Sequence, residues 1–209
     1  MQIDLPTAKR RLRPIHDDLV EAHQTTLDKW RKLGDEYPAW VLAFDAAERA
    51  QQLHAHIKLE VATVAESWGR RVRVSEALDF FALCVGRDIL LRFKFLGPSG
   101  PSNVQTEHQK LLARQLYDDD MMSALAFDGF TQPPTLLTCG YRLTNDDYLK
   151  TLVIRRDKKG EPSWEYPIYG DDGVAVEPLR FRGMPDNGPA RVRSARVAAK
   201  KNEEGGQAR

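Results

Sequence analysis

Cysteine is scarce in this chain, and both copies lie in apolar stretches. Cys84 and Cys139 have no histidine close to them in sequence. A thiol without a neighbouring base is typical of a buried structural residue, and it is much less typical of a catalytic or disulfide-bonded one. The sequence therefore predicts two buried free thiols in a reducing compartment.

Long apolar runs and a strong excess of charge are also missing. The longest apolar runs, such as Phe80–Val85, are far too short to span a bilayer. No apolar segment of the kind found in secretory signals follows the basic residues near the N-terminus. The formal net charge is +1, so any affinity for nucleic acid must come from local patches. We expect a cytoplasmic protein without membrane contact.

Metal and nucleotide motifs are absent as well. The chain has five histidines. On a helix, His54 and His56 would point to nearly opposite sides, and His16 and His23 would lie two turns apart, so neither pair can chelate one ion. The chain has no Cys-x-x-Cys or His-Glu-x-x-His motif, and its 97–100 glycine loop lacks the lysine of a phosphate-binding loop. We expect no metal and no cofactor.

The residues that are present predict an α+β fold. Hydrophobic residues make up 42% of the chain and charged residues 29%, which is close to the globular average. Apolar residues at helical spacing predict one helix that begins at Pro14 and ends at Gly34. A second helix follows the capping box of Asp45 and Glu48, with an apolar stripe from residue 50 to residue 64.

Alternating patterns and turn residues predict strands in the second half of the chain. A helix capped by Thr106 and ended by the aspartates 118–120 interrupts them. Together these elements predict a helical pair packed on an antiparallel sheet or meander. The predicted strands are Phe80–Val85, Ile89–Phe95, Thr135–Leu143, Leu149–Arg156 and Trp164–Tyr169. The predicted regions are a basic N-terminal arm (1–13), a single α+β domain (14–181) and a disordered basic tail (182–209).

The C-terminal tail is rich in basic residues and poor in apolar ones. From residue 178 onward it carries eight basic and three acidic residues. Such a segment cannot offset its ordering entropy, so we expect it to be disordered. It would either bind nucleic acid weakly and without sequence preference or serve only solubility. The candidate binding residues are Arg191, Arg193, Arg196, Lys200 and Lys201.

The strand Ile89–Phe95 carries two basic residues on one side. Period-two alternation places Leu91, Phe93 and Phe95 on one face and Leu90, Arg92 and Lys94 on the other. One interpretation is a sheet whose second face is solvated. The other is a small anion-binding face for a phosphate or an acidic partner. The sequence leaves both open, with Arg92 and Lys94 as candidate binding residues.

A metal-dependent nuclease or phosphate-handling enzyme is the alternative function. Asp79, Asp88 and Lys94 resemble the acids and the strand lysine of restriction-type nucleases. Those enzymes need an acid two residues before the lysine, where it shares a face with the lysine and binds a divalent ion. Arg92 stands there instead. The sequence therefore assembles no catalytic set, which favours a non-enzymatic protein.

Four short motifs occur in a characteristic order. They are Leu91-Arg92-Phe93-Lys94, Ser102-Asn103-Val104-Gln105-Thr106, Gly140-Tyr141-Arg142-Leu143 and Trp164-Glu165-Tyr166-Pro167. Over roughly residues 40–170 the chain resembles a bacterial family of about this size that has no established activity. Its genes often lie beside one that fuses an Xre-type helix-turn-helix to an ImmA/IrrE-like metallopeptidase. The resemblance implies an interaction protein of a stress, mobile-element or toxin–antitoxin-like cassette, with that regulator or metallopeptidase as its partner.

Overall fold

A computed structural model gives the architecture of five ranges of the chain. The described residues are 3–75, 80–97, 100–101, 106–143 and 149–168. The helices are α1 Leu5–Leu12, α2 His16–Glu36, α3 Pro38–Ala43, α4 Ala46–Ala65, α5 Glu107–Ala113 and α6 Asp119–Phe127. The strands are β1 Val72–Val74, β2 Ala82–Val85, β3 Ile89–Gly97, β4 Gly100–Pro101, β5 Thr135–Leu143, β6 Leu149–Arg156 and β7 Pro162–Pro167. The described helices are all too short or too polar to cross a bilayer.

The N-terminal segment is part of the core. Asp4 caps α1 by accepting a hydrogen bond from the Thr7 amide at 2.9 Å. Ala8 and Leu12 of this helix are fully buried. The segment predicted as a basic arm therefore contains a packed helix. The helix predicted to begin at Pro14 begins at His16, after a 3-10 turn.

Helices α2 and α4 form the predicted antiparallel pair. The capping box of Asp45 and Glu48 is present, with two reciprocal hydrogen bonds of 2.8 Å. Lys29 of α2 pairs with Glu60 of α4. Asp18, near the start of α2, accepts a hydrogen bond from Trp68, just beyond the end of α4. These contacts fix opposite directions for the two helices.

The strands form one mixed sheet in the order β1-β2-β3-β5-β6-β7, with β4 beside β3. The predicted hairpins β2–β3 and β5–β6 are confirmed. The α+β class, with N-terminal helices and a sheet, is also confirmed. The prediction of a purely antiparallel sheet is wrong at one pair, since β3 and β5 run parallel. The chain between them includes α5 and α6 and returns to the end of the sheet from which β3 starts.

Helix α6 was not predicted. The three aspartates assigned to the end of the preceding helix instead begin α6, because Asp118 accepts a hydrogen bond from the Met121 amide at 2.8 Å. Between the two helices, Gln115 has a φ of 59°. Its side-chain amide exchanges two hydrogen bonds with the backbone of Leu136, at 2.8 and 2.9 Å. These bonds attach the α5–α6 connection to the start of β5.

The sheet is covered on both faces. Its inner face packs against α1, α2 and α4 and forms the main core. Its outer face packs in part against α5 and α6, through Leu112, Met121 and Leu125. Ala82, Cys84, Leu90 and Leu136 meet these helices from the sheet. The outer face is therefore buried at Leu90 and Arg92 and partly exposed at Lys94, so the interpretation of a solvated face is wrong for most of β3.

Candidate functional site

Strand β3 presents its two basic residues on the outer face. The predicted alternation is confirmed there, since Leu91 and Phe93 belong to the main core and Leu90 to the cluster under α5 and α6. Arg92 is only 4% exposed. The Lys94 side chain is partly exposed, but its Nζ is fully buried. The strand therefore holds two cations in or near the protein interior.

The two cations differ in their hydrogen-bond partners. Arg92 Nε donates a hydrogen bond of 3.0 Å to Oγ1 of Thr138, its register partner on β5. Lys94 lies opposite Gly140, and its Nζ finds no acceptor among the described residues. Leu96 fills the space beside Gly140, so a side chain at residue 140 would clash with it. The Lys94 ammonium is thus buried without an acceptor among the described residues.

Arg156, at the end of β6, adds a third cation. Its Nη1 donates a hydrogen bond of 2.6 Å to the Gly160 carbonyl, and its side chain is only partly buried. Its charge acts on both Arg92 and Lys94. We call these three residues the cationic cluster. Because Arg156 is partly exposed, the cluster has one side open to solvent.

Burial dominates the electrostatics of the cluster. Burial, with smaller contributions from the charges of Arg92 and Arg156, lowers the pKa of Lys94 to about 8. Burial likewise lowers the pKa of Arg92 to about 10, with Arg156 contributing in the same direction. Within the described ranges no carboxylate forms an ion pair with any of the three. Glu161 and Glu165 act on Arg156 from a greater distance, so the uncompensated positive potential is centred on Arg92 and Lys94.

The wall of the site beside Arg92 is rigidly held. The Tyr117 hydroxyl donates a hydrogen bond of 2.6 Å to the Pro134 carbonyl. Burial raises the pKa of Tyr117, so this phenol stays neutral. The Gln115–Leu136 bonds hold the same connection to the sheet. With Arg92 held in place by Thr138 and no described carboxylate paired to Arg92 or Lys94, the arrangement is suited to holding an anion.

The two described residues of the alternative nuclease site, Asp88 and Lys94, do not come together. Asp88 lies in the β2–β3 turn and pairs with Arg11 at 3.5 Å. Six residues of extended strand, about 20 Å, separate it from Lys94. Asp79 lies outside the described residues. Among those that are described, no three histidine, cysteine or acidic side chains cluster as metal ligands.

The remaining predicted residues have ordinary structural roles or are not described. Both cysteines are free and buried, as predicted. Burial raises the pKa of Cys84 to about 12. His54 Nδ1 is hydrogen-bonded to the Tyr141 hydroxyl at 2.7 Å, and His16 Nε2 to the Tyr166 hydroxyl at 3.0 Å. The candidate tail residues Arg191, Arg193, Arg196, Lys200 and Lys201 lie outside the described residues.

Sequence reasoning missed Arg156, Thr138 and Tyr117. Alternation along β6 would have placed residue 156 on the same face as residues 152 and 154. No local signal showed that this face adjoins Arg92, because that depends on the parallel pairing of β3 with β5. The missing information was the strand order.

Three of the four characteristic motifs lie on the sheet, two of them on the neighbouring strands β3 and β5. Arg92 and Lys94 lie on β3, Gly140 and Tyr141 on β5, and Trp164 and Tyr166 on β7. The fourth motif lies mostly outside the described residues, although Thr106 caps α5 as predicted, at 3.2 Å from the Gln109 amide. Comparison of the chain with family models, with curated proteins and with solved structures gave no match.

Proposed function

We propose that this is a non-enzymatic binding protein that recognises an anionic group, a phosphate or a carboxylate, at the cationic cluster. The observation that carries the proposal is the Lys94 ammonium, which is buried and has no acceptor in the described structure. Removing a charge from water without a partner is unfavourable by several kcal/mol. A bound ligand that accepts hydrogen bonds from the Lys94 ammonium would offset this cost.

The neighbours of Lys94 favour an anion as that ligand. Arg92 is anchored through Nε to Thr138, which leaves its two terminal nitrogens as donors. A planar guanidinium binds the oxygens of a phosphate or carboxylate in pairs. Arg156 adds charge from the open side. A bound anion would offset the repulsion among the three cations, of which only Arg156 feels nearby carboxylates, those of Glu161 and Glu165.

Binding of inorganic phosphate and of succinate at pH 7 tests this function. We expect calorimetric titration to show binding of at least one of them. The preferred probe distinguishes a phosphate site from a carboxylate site. Arg92→Gln and Lys94→Met should each weaken binding by about tenfold or more, since each removes a charged hydrogen bond. Lys32→Met is the matched control, because it removes an exposed lysine of α2 and should leave affinity unchanged.

The stability of Lys94→Met without ligand distinguishes a binding role from a structural one. Replacing an unpaired buried ammonium with an apolar chain of similar length should raise the free energy of unfolding, by about 1 kcal/mol or more. If the cluster served structure alone, Lys94→Met would lower the free energy of unfolding. Loss of stability in Lys94→Met, together with anion affinity equal to that of Lys32→Met, would overturn the proposal.

The resemblance supports a protein partner that supplies the anionic group. We propose that it is the neighbouring-gene regulator or metallopeptidase, met in the cytoplasm. The two buried free thiols are consistent with a reducing compartment. We expect a pull-down from the native host to retain that gene product, as identified by mass spectrometry, and the Arg92→Gln protein to retain less of it. Failure to enrich any partner above background would count against this assignment.

A further inference from the structure

A positively charged cavity lies at the other end of β3 from Lys94. It is bounded by α1, the 3-10 turn Glu66–Arg71, β1 and the β2–β3 turn. Its volume is about 750 Å³, within the range of small-molecule sites. Neither the cationic cluster nor the proposed function uses it.

Three arginines line this cavity. Arg10 and Arg11 come from consecutive positions on α1, and Arg71 comes from the 3-10 turn. Asp88 pairs with Arg11, and the charge of Asp4 acts on Arg10 without forming an ion pair. Arg71 forms no ion pair with any carboxylate in the described ranges. The backbone of Arg71 is fixed, since its carbonyl accepts a hydrogen bond of 2.8 Å from the Gly86 amide. The rim of the cavity therefore favours an anion.

The interior of the cavity is apolar and partly aromatic. Ile15, Val72 and Val85 are buried and form part of its lining. Trp68 also lines it, and the indole N–H donates to Asp18, which fixes the orientation of the ring. An immobilised indole beside aliphatic side chains can stack against a flat ring. Inorganic phosphate alone would leave this part of the cavity unused.

We infer that the cavity binds a small anion with an aromatic body, of the size and chemistry of a nucleoside monophosphate. The arginines would hold the phosphate, while Trp68 and the aliphatic residues would hold the base. The packed helix α1 makes such a site possible, because it holds Arg10 and Arg11 beside the apolar lining.

Calorimetric titration with adenosine 5′-monophosphate, adenosine and inorganic phosphate tests the inference on the full chain. The nucleotide should bind at least about tenfold more tightly than either fragment, since only it reaches both parts of the cavity. Arg10→Gln and Arg71→Gln should each weaken its binding by about tenfold. Both side chains are exposed, so the variants should fold normally. Arg13→Gln removes a nearby arginine outside the lining and should bind as the wild type does.

Three results would overturn the inference. The first is nucleotide affinity no better than that of inorganic phosphate in Lys94→Met, where phosphate binding at the cationic cluster is weakened. The second is equal affinity in Arg10→Gln, Arg71→Gln and Arg13→Gln. The third is tight binding of a single-stranded oligonucleotide of ten nucleotides that adenosine 5′-monophosphate does not displace. That result would indicate an extended surface for nucleic acid in place of a mononucleotide site.

Discussion

Replacing Tyr141 with alanine is expected to lower the free energy of unfolding by about 4 kcal/mol. Tyr141 is the largest fully buried side chain of the described core. Its ring lies 5.8 Å from the rings of His23 and Phe95 and is stacked on His54 at 6.2 Å. Alanine would leave a cavity between the helical pair and the sheet, where packed elements on both sides limit relaxation.

Tyr141→Phe is the matched control for this change. It keeps the ring and removes the hydroxyl that is hydrogen-bonded to His54, so it should cost only about 1 kcal/mol. Chemical denaturation curves of the three proteins give both values. A loss below about 1 kcal/mol for Tyr141→Ala would show that the inner face is less tightly packed than described.

Acidification is expected to destabilise the protein through His23. This residue is buried, and its Nδ1–H donates to the Leu19 carbonyl. Its Nε2 has no partner in the described core and lies among aromatic rings. Burial lowers the pKa of His23 to about 4, and the Leu19 hydrogen bond only partly opposes this. Protonation would place a charge where the described residues offer no acceptor.

The direction of the pH effect follows from the difference in the pKa of His23 between the folded and the unfolded protein. Unfolded His23 takes up a proton near pH 6.5, whereas folded His23 stays neutral until about pH 4. The stability contributed by the neutral form is complete above about pH 6.5 and is lost as the pH falls towards 4. The loss approaches about 3 kcal/mol at pH 4.

Comparison with His23→Leu isolates this contribution from that of the carboxylates. Urea denaturation gives the free energy of unfolding at pH 7.5 and pH 4. Between these pH values His23→Leu should lose about 3 kcal/mol less of it than the wild type. The imidazole C–H resonances of folded wild-type protein should also show one histidine titrating near pH 4. Parallel losses in both proteins, with all histidines titrating near pH 6.5, would contradict the prediction.

Local chemistry was sufficient to predict most of the elements. The capping box of Asp45 and Glu48 marks the start of α4 correctly, because its hydrogen bonds involve only neighbouring residues. Alternation in β3 likewise assigned Phe93 and Arg92 to opposite faces. Such signals depend on backbone geometry within a few residues, which the sequence specifies directly.

Long-range arrangement was not predictable in the same way. An aspartate run can end one helix or begin the next, and only the bond from Met121 to Asp118 shows which. The cover over the outer face depends on where α5 and α6 pack. The parallel pairing of β3 with β5 joins residues about 46 positions apart, such as Lys94 and Gly140. The candidate site depends on that pairing, and for this reason only two of its cations were identified from sequence.

The same pairing has a consequence for the order of folding. Hairpin β2–β3 and meander β5–β7 each contain mostly local contacts, which form quickly, whereas the ladder between them requires closure of a long loop. That step moves Arg92 and Lys94 towards Arg156. Coulomb repulsion among the three cations therefore opposes the docking of two preformed halves, and counter-ions in the refolding buffer would lower that barrier.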